Sequence, residues 1–142
     1  MRLTNFSDYT LRVLMYAAAQ KGRLITIEET AKVYGISRAH LMKVANLLTR
    51  AGYLRATRGR DGGLTLAKAP RNIRLGEVLR ATEPDLALVE CFTGENQCRI
   101  TPRCRLRGVL QEALAAFMKT LDRYTLDDLL LRPGDFGVKP AA

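Results

Sequence analysis

The segment from residue 26 to residue 52 constrains the fold of this chain more than any other stretch. Thr26 and Glu29 have the spacing of a capping box, in which two side chains satisfy free backbone N–H groups at the start of a helix. We therefore expect a helix from Thr26 to just before Gly35. Ser37 is a favourable N-cap for the helix that follows. Two helices joined by a short turn that contains glycine have the spacing of a helix-turn-helix.

The residues after Gly52, which closes the second of these helices, have the pattern of a small hairpin. Tyr53–Thr57 and Leu64–Leu66 are the strand candidates, and the turn between them, residues 58–63, has the basic, glycine-rich sequence Arg-Gly-Arg-Asp-Gly-Gly. A hairpin with a basic turn directly after a helix-turn-helix is a wing. The predicted fold class is mainly α with a small β wing (α+β), a winged helix-turn-helix.

Apolar residues at helical spacing predict further helices on both sides of this unit. The last long one carries a narrow apolar seam, which is typical of a helix that packs on its own domain or on a second copy. The predicted helices are Ser7–Gln20 with Ser7 or Asp8 as its cap, Ile73–Ala81, a long helix from Cys104 or Arg105 to about Tyr124, and a short one from Thr125 to Leu131.

Charge is distributed unevenly over the 142 residues, whose formal net charge is +9. Residues 1–75 hold 14 Lys and Arg against 4 Asp and Glu, and residues 76–142 hold 9 against 10. A basic half joined to a near-neutral half indicates that one module binds a polyanion. Neither a signal peptide nor an apolar run long enough to span a bilayer is visible, so we expect a cytoplasmic protein with no membrane partner.

The second helix of a helix-turn-helix enters the major groove of double-stranded DNA with its N-terminal residues nearest the bases. Arg38 can present a bidentate fork to guanine, and its polar neighbours are placed to reach phosphate. His40, the only histidine, has metal ligation as its alternative role. Each side chain alone could be a solvated surface group. The prediction therefore rests on the combination of the helix-turn-helix, the wing and the excess of basic residues in this half of the chain. The predicted DNA contacts are Ser37, Arg38, His40 and Lys43 in the helix and Arg58 and Arg60 in the wing.

All three cysteines, Cys91, Cys98 and Cys104, lie in one loop with the spacing C-x6-C-x5-C. Three is an odd number, and disulfides are rare in the cytosol, so a disulfide framework is disfavoured. The spacing does not fit a zinc knuckle, which pairs cysteines two to four residues apart. It favours a larger group such as an iron–sulfur cluster. The alternatives are redox-active thiols or another metal.

Several of these segments together resemble the IscR/NsrR family of winged-helix iron–sulfur repressors, over about residues 1–132. The matching residues are Met1-Arg-Leu-Thr4, Asp8-Tyr9, Ile36-Ser-Arg-Ala-His-Leu-Met-Lys-Val44, the wing turn at 58–63, Leu75-Gly-Glu-Val78 and the three cysteines.

The resemblance implies a homodimer formed through the long helix, which binds palindromic operators. It also implies one cluster per subunit on the three cysteines, with a four-iron (4Fe–4S) cluster favoured over a two-iron (2Fe–2S) cluster. Cluster state would set operator affinity, and nitric oxide would be the signal in one branch. The expected regions are 1–72, a DNA-binding winged helix; 73–132, the cluster-binding loop and dimerisation helices; and 133–142, a flexible tail.

The fourth cluster ligand distinguishes the branches of this family. In the IscR branch a histidine follows the third cysteine, whereas residues 105–108 are Arg-Leu-Arg-Gly here. This departure favours the nitric-oxide-sensing branch, and the resemblance then implies that Asp8 of the partner subunit is the fourth ligand. The ordinary role of an Asp at this position is a helix cap or N-terminal charge.

The expected function is therefore a nitric-oxide-responsive transcriptional repressor. The alternative is a winged-helix regulator that senses thiol oxidation or cluster supply without nitric-oxide specificity. An oxidoreductase is disfavoured because there is no nucleotide-binding fingerprint and no C-x-x-C pair, so we do not expect an enzyme.

Overall fold

The computed structural model describes residues 1–137 and contains helices, one small sheet and several single 3-10 turns. The α-helices are α1 (Asn5–Ala19), α2 (Ile27–Tyr34), α3 (Arg38–Arg50), α4 (Leu75–Thr82) and α5 (Arg105–Arg123). The strands are β1 (Leu54–Thr57) and β2 (Gly63–Leu66), and the 3-10 turns are Pro70–Asn72, Glu90–Phe92, Thr101–Arg103, Leu126–Leu129 and Pro133–Phe136. The α+β fold class is confirmed.

Helix α1 begins earlier than predicted because its cap is Thr4, and the prediction of Ser7 or Asp8 was wrong. The Thr4 hydroxyl accepts a hydrogen bond from the Ser7 N–H at 3.2 Å. The Thr4 N–H donates to the Glu83 carboxylate at 2.8 Å, and the buried Ser7 hydroxyl donates to Thr82 at 2.8 Å. These bonds attach the start of α1 to the end of α4.

The helix-turn-helix forms as its capping residues predict. Thr26 and Ser37 accept hydrogen bonds at the starts of α2 and α3. Gly35 ends α2 with φ 65°, and Gly52 follows α3 with φ 83°, the left-handed conformation that favours glycine. The inner face of α3 is buried in the core and consists of Leu41, Val44, Ala45 and Leu48.

The wing is a two-stranded antiparallel hairpin in which Leu54 pairs with Leu66 and Thr57 with Gly63. Outside the hairpin, Ile25 pairs with Leu64 through a single antiparallel bridge. Gly63 permits this approach, since a Cβ on it would lie 2.6 Å from the Ile25 carbonyl oxygen.

Helix α4 begins at Leu75 and not at Ile73, because the backbone before it pairs with the chain that returns after α5. The Ile73 carbonyl accepts from the Leu126 N–H at 2.8 Å, and the Leu75 N–H donates to the Tyr124 carbonyl at 3.0 Å. Thr125 caps the next turn, with its N–H bonded to Asp128. That turn is a 3-10 helix ending at Leu129 instead of the α-helix expected to reach Leu131.

Helix α5 is attached to α4 near its C-terminal end. Arg80 forms two hydrogen bonds to the Asp122 carboxylate, at 2.7 and 2.8 Å. Toward its N-terminus the helix leaves Leu106 61% and Val109 59% exposed. The predicted apolar seam is therefore only partly covered within one chain.

The segment after Pro133 differs from the loose tail that we expected. Phe136 packs edge-on against Tyr16 and Tyr34, with ring centroids 5.2 and 6.2 Å apart. Burial of aromatic surface accounts for this contact. Residues 138–142 of the predicted flexible tail lie outside the described residues.

Candidate nucleic-acid interface and cysteine loop

The outer face of α3 is open to solvent. Arg38 and Lys43 are exposed, and neither belongs to an ion pair within residues 1–137. Since the inner face of α3 is held in the core, these two cations project from a fixed helix. The same outer face also presents Met42 and Asn46, which the sequence-based prediction missed. Met42 and Asn46 follow Ala39 by three and seven residues, which places all three on one face of the helix. This spacing is the signal that could have identified them.

Ser37 and His40 have local roles in the free chain. The Ser37 hydroxyl accepts from the His40 N–H at 3.2 Å, which caps α3. The His40 ring lies edge-on to Tyr9, with centroids 4.7 Å apart, and is stacked toward Phe6 at 6.5 Å. We expected a phosphate contact for His40. In the free chain the imidazole packs the N-terminal end of α3 against α1, and the phosphate contact stays a prediction.

The wing turn presents Arg58 and Arg60 to solvent on a backbone that requires glycine. Gly59 has φ 111°, and a Cβ on Gly62 would lie 2.1 Å from the Thr57 carbonyl oxygen. The tight turn therefore places two cations at the tip of the hairpin, as the wing prediction requires.

Cys91, Cys98 and Cys104 are free thiols. Cys91 lies in a 3-10 turn and Cys104 directly precedes α5, and both are half-buried, whereas Cys98 is exposed. Within residues 1–137 of one chain, no group of three or more His, Cys, Asp or Glu is arranged to hold a metal ion. The three thiols thus lie on one loop, but in a single chain they are not arranged as a metal-binding site.

Polar bonds within the loop define its path between the cysteines. The Glu90 carboxylate accepts from the Gln97 N–H at 2.6 Å. The Asn96 side chain accepts from the Cys98 N–H at 3.1 Å and donates to Thr101 at 2.8 Å. These are exposed local bonds, so few contacts oppose a rearrangement of the loop around a ligand.

The donor set nevertheless fits an iron–sulfur group. Thiolate is the ligand that such clusters use, and a cation lies beside the loop. The Arg107 Nε atom is buried and has no hydrogen-bond partner among the described residues. Arg107, Phe92 and Asp85 line one cavity of about 450 Å³ between residues 85–92 and α5, and none of the three cysteines is among its lining residues. An unpaired donor at this position favours an anionic neighbour.

Asp8 is held by Arg12 within α1. Arg12 Nε and Nη2 donate to the two Asp8 carboxylate oxygens at 3.1 and 2.8 Å, and both side chains are 42% exposed. The Arg12 guanidinium also lies 5.6 Å from the Tyr9 ring centroid and 5.9 Å from that of Tyr34. Arg12, another residue that the prediction missed, therefore connects Asp8 with two aromatic rings.

Tyr34 anchors this group to the core. Its hydroxyl donates to the Arg12 carbonyl at 2.7 Å. Burial raises the pKa of Tyr34 well above its usual range, so the hydroxyl remains a donor. Helices α1 and α2 are thus joined directly behind the Asp8–Arg12 pair.

Nearby, Glu29 joins α2 to α1. It accepts from Tyr16 at 2.9 Å and from Arg23 at 2.7 Å. Burial alone would raise the pKa of Glu29, but the hydrogen bonds from Arg23 and Tyr16 outweigh it, and the pKa is lowered.

Comparisons with known proteins agree with this geometry. Residues 3–132 match the family model Rrf2, described as an iron-dependent transcriptional regulator. The chain is 49% identical to the HTH-type transcriptional regulator NsrR of Bacillus licheniformis over 92% of this chain and 93% of that protein. It is 48% identical to NsrR of Bacillus subtilis over 95% and 94%. The solved structure of T. potens IscR has the same fold, with a TM-score of 0.69 and 24% identity over 91% of this chain and 85% of that one.

No helix among residues 1–137 is both long and apolar enough to cross a membrane.

Proposed function

Since this chain belongs to the Rrf2 family of transcriptional regulators, we propose that it is a nitric-oxide-responsive repressor that binds palindromic operator DNA as a homodimer. Operator affinity would be set by an iron–sulfur cluster, with a four-iron cluster favoured. The observation that carries the proposal is the position of all three thiols on the accessible loop between the winged helix and α5. The resemblance to NsrR proteins supports nitric oxide as the signal.

The general class is established by the family. Rrf2 members and the NsrR relatives are transcriptional regulators, so the chain is a DNA-binding regulator and not an enzyme. The resemblance identified in the sequence is confirmed at this level. In our proposal Arg38 and Lys43 of α3 contact the major groove and its phosphates, while Arg58 and Arg60 of the wing contact the backbone or minor groove.

In the proposed dimer the partner is a second copy of this chain that packs against α5. The helix is 19 residues long and only Met118 in it is buried. Leu106 and Val109 present exposed apolar surface, and burying such surface drives association. A dimer formed here would bring the loop of each subunit near the other subunit.

Cys91, Cys98 and Cys104 would hold the cluster, and Asp8 of the partner subunit would be the fourth ligand. A bound cluster would supply iron that nitric oxide can attack, most readily at the position held by an oxygen ligand. The orphaned Arg107 Nε would offset negative charge there.

The Asp8–Arg12 pair gives Asp8 an alternative partner within its own helix. An exposed ion pair of this kind contributes about 0–1 kcal/mol, so Arg12 can release Asp8 at little cost. Tyr9 follows Asp8 and packs on His40 at the N-terminal end of α3. A change in the partner of Asp8 would thereby act next to a contact that positions the recognition helix.

The test is anaerobic purification, quantitation of iron and sulfide, and nitric-oxide titration with an operator-binding assay on the same sample. We expect a coloured protein with iron and sulfide, whose operator affinity falls as nitric oxide is added. A colourless protein that responds to oxidants through its thiols would instead support the alternative regulator. The exposed free thiol of Cys98 is the observation that favours that alternative.

The role of Asp8 is tested with Asp8→Ala and a matched control, Glu28→Ala. Glu28 is also an exposed carboxylate in the first turn of a helix and also pairs with a cation four residues on, Lys32. We expect only Asp8→Ala to lose iron faster and to change the nitric-oxide response. If cluster stability, nitric-oxide response and operator affinity are all unchanged in Asp8→Ala, the inter-subunit ligand is wrong.

A further inference from the structure

The outer face of α3 carries an apolar side chain where a polar one would be expected. Met42 is 53% exposed. Within residues 4–99 it is the only large hydrophobic side chain that is exposed. Apart from the small Ala39, its exposed neighbours on this face are basic or polar, namely Arg38, Lys43 and Asn46. On a helix face that binds DNA, an apolar residue within a basic surface is complementary to an apolar group that is surrounded by negative charge.

Packing of this chain does not explain Met42. Helix α3 is held in the core through its opposite face, and the other exposed large apolar residues of the described chain lie in the cysteine loop (Ile100), on or just after α5, or toward the two ends of the chain. Met42 is therefore separate from the surface that the proposed dimer would bury.

We propose that Met42 is a specificity-determining residue that reads a thymine 5-methyl group in the major groove. The inference rests on the DNA-binding role of α3. Methionine offers no N–H or O–H donor, and its flexible thioether adapts to apolar surface. The thymine methyl is the one apolar group that base edges present in the major groove. The flanking cations would bind the phosphates on either side.

The position of Arg38 limits where this thymine lies. Arg38 is four residues before Met42, so the two are about 6 Å apart along the helix axis and on the same face. Base pairs are spaced by about 3.4 Å. If Arg38 binds a guanine, the thymine read by Met42 lies within about two base pairs of it.

The experiment uses the full chain and an operator recovered by selection from a random duplex pool. Each thymine is replaced in turn by uracil, which lacks only the 5-methyl group, in both half-sites. We expect the wild type to lose about threefold to fivefold in affinity per half-site at one position, the effect of one buried methyl group. Met42→Ala should bind the thymine operator more weakly and lose less than about 1.5-fold on the same replacement.

Two further variants separate this contact from general effects. Met42→Leu keeps an apolar contact and should keep the discrimination between thymine and uracil. Lys43→Ala should weaken binding to both operators about equally and reduce the salt slope by about one. Circular dichroism and thermal midpoints should match the wild type for all three, since these side chains are exposed.

Equal binding of thymine and uracil operators by the wild type at every position would overturn the inference while leaving the repressor function intact. The same holds if Met42→Ala keeps the full loss at the sensitive position. If the wild type selects no operator at all, the DNA-binding function fails as well, so the two failures are distinguishable.

Discussion

The winged helix and the C-terminal part of this chain bury their apolar residues in different ways. Among the described residues 1–137, all buried hydrophobic residues except Met118 and Leu126 lie between Val13 and Leu79. In α5, by contrast, large apolar residues remain exposed. One region completes its core within a single chain, and the other leaves a helix and a cysteine loop open to a partner and a ligand. The following substitutions probe that difference, from the largest expected effect to the smallest.

The strongest contrast is between Leu48→Ala and Leu106→Ala. Leu48 is fully buried in α3 and Leu106 is 61% exposed in α5. We expect Leu48→Ala to lower the free energy of unfolding by about 2–5 kcal/mol. Leu106→Ala should change it by less than about 0.5 kcal/mol in dilute protein but weaken self-association. Urea denaturation and sedimentation over a range of concentrations measure both, and equal unfolding effects would contradict the contrast.

The two glycine-containing loops offer a second contrast. A Cβ on Gly62 in the wing would lie 2.1 Å from a backbone oxygen, whereas one on Gly94 in the cysteine loop meets nothing within 4 Å. Gly62→Ala should cost about 1–3 kcal/mol through steric strain, and Gly94→Ala should be nearly neutral. Thermal and urea unfolding of the two variants test this. A tolerated Gly62→Ala would mean that the wing turn is looser than its contacts indicate.

Phe136 tests whether the end of the described chain belongs to the winged helix. Phe136→Ala removes edge-on contacts with Tyr16 and Tyr34, each of which contributes about 0.5–1.5 kcal/mol beyond area burial. Phe136 is half-buried, so we expect a total loss near the lower end of the sum of these contributions, about 1–2 kcal/mol. Leu131→Ala, at a residue 43% exposed, is the control. Equal unfolding free energies for both variants would show that the Phe136 contacts do not stabilise the folded chain.

The smallest effect concerns pH. Because the pKa of Glu29 is lowered in the folded chain, its contribution to stability is present above the unfolded-state pKa. That contribution is lost as pH falls through the folded-state pKa. The group is partly exposed, so the contribution is below about 1 kcal/mol. Glu29→Gln should flatten the fall in unfolding free energy between about pH 5 and pH 3. An unchanged slope would show that other carboxylates account for it.

Local signals were sufficient to predict the winged helix. Thr26, Gly35, Ser37 and Gly52 act through bonds or backbone angles within a few residues, so their patterns predicted α2, α3 and their turn correctly. The wing was also predicted from a local signal, the glycine-rich and basic turn at residues 58–63 between two short strand patterns.

The features that the sequence did not predict depend on residues far apart in the chain. The Thr4 cap is supported by Glu83, 79 residues away, and α4 starts late because Ile73 pairs with Leu126. The packing of Phe136 on Tyr16 likewise joins residues that are far apart in the chain. The cysteine ligand set, the role of Asp8 and the domain boundaries stay predictions, because each of them involves a second chain, a cofactor or DNA.

Because α5 is attached to α4 near its C-terminal end, a small rotation of the helix there moves its N-terminal end by a larger distance. Its 19 residues span about 28 Å at 1.5 Å per residue. Asp122, bonded to Arg80, lies at the fixed end, and Cys104 precedes the opposite end. A tilt of about 10° around the fixed end would displace the Cys104 end by about 5 Å, roughly the rise of one helical turn. Small changes in angle at the α4–α5 joint are therefore magnified at the cysteines.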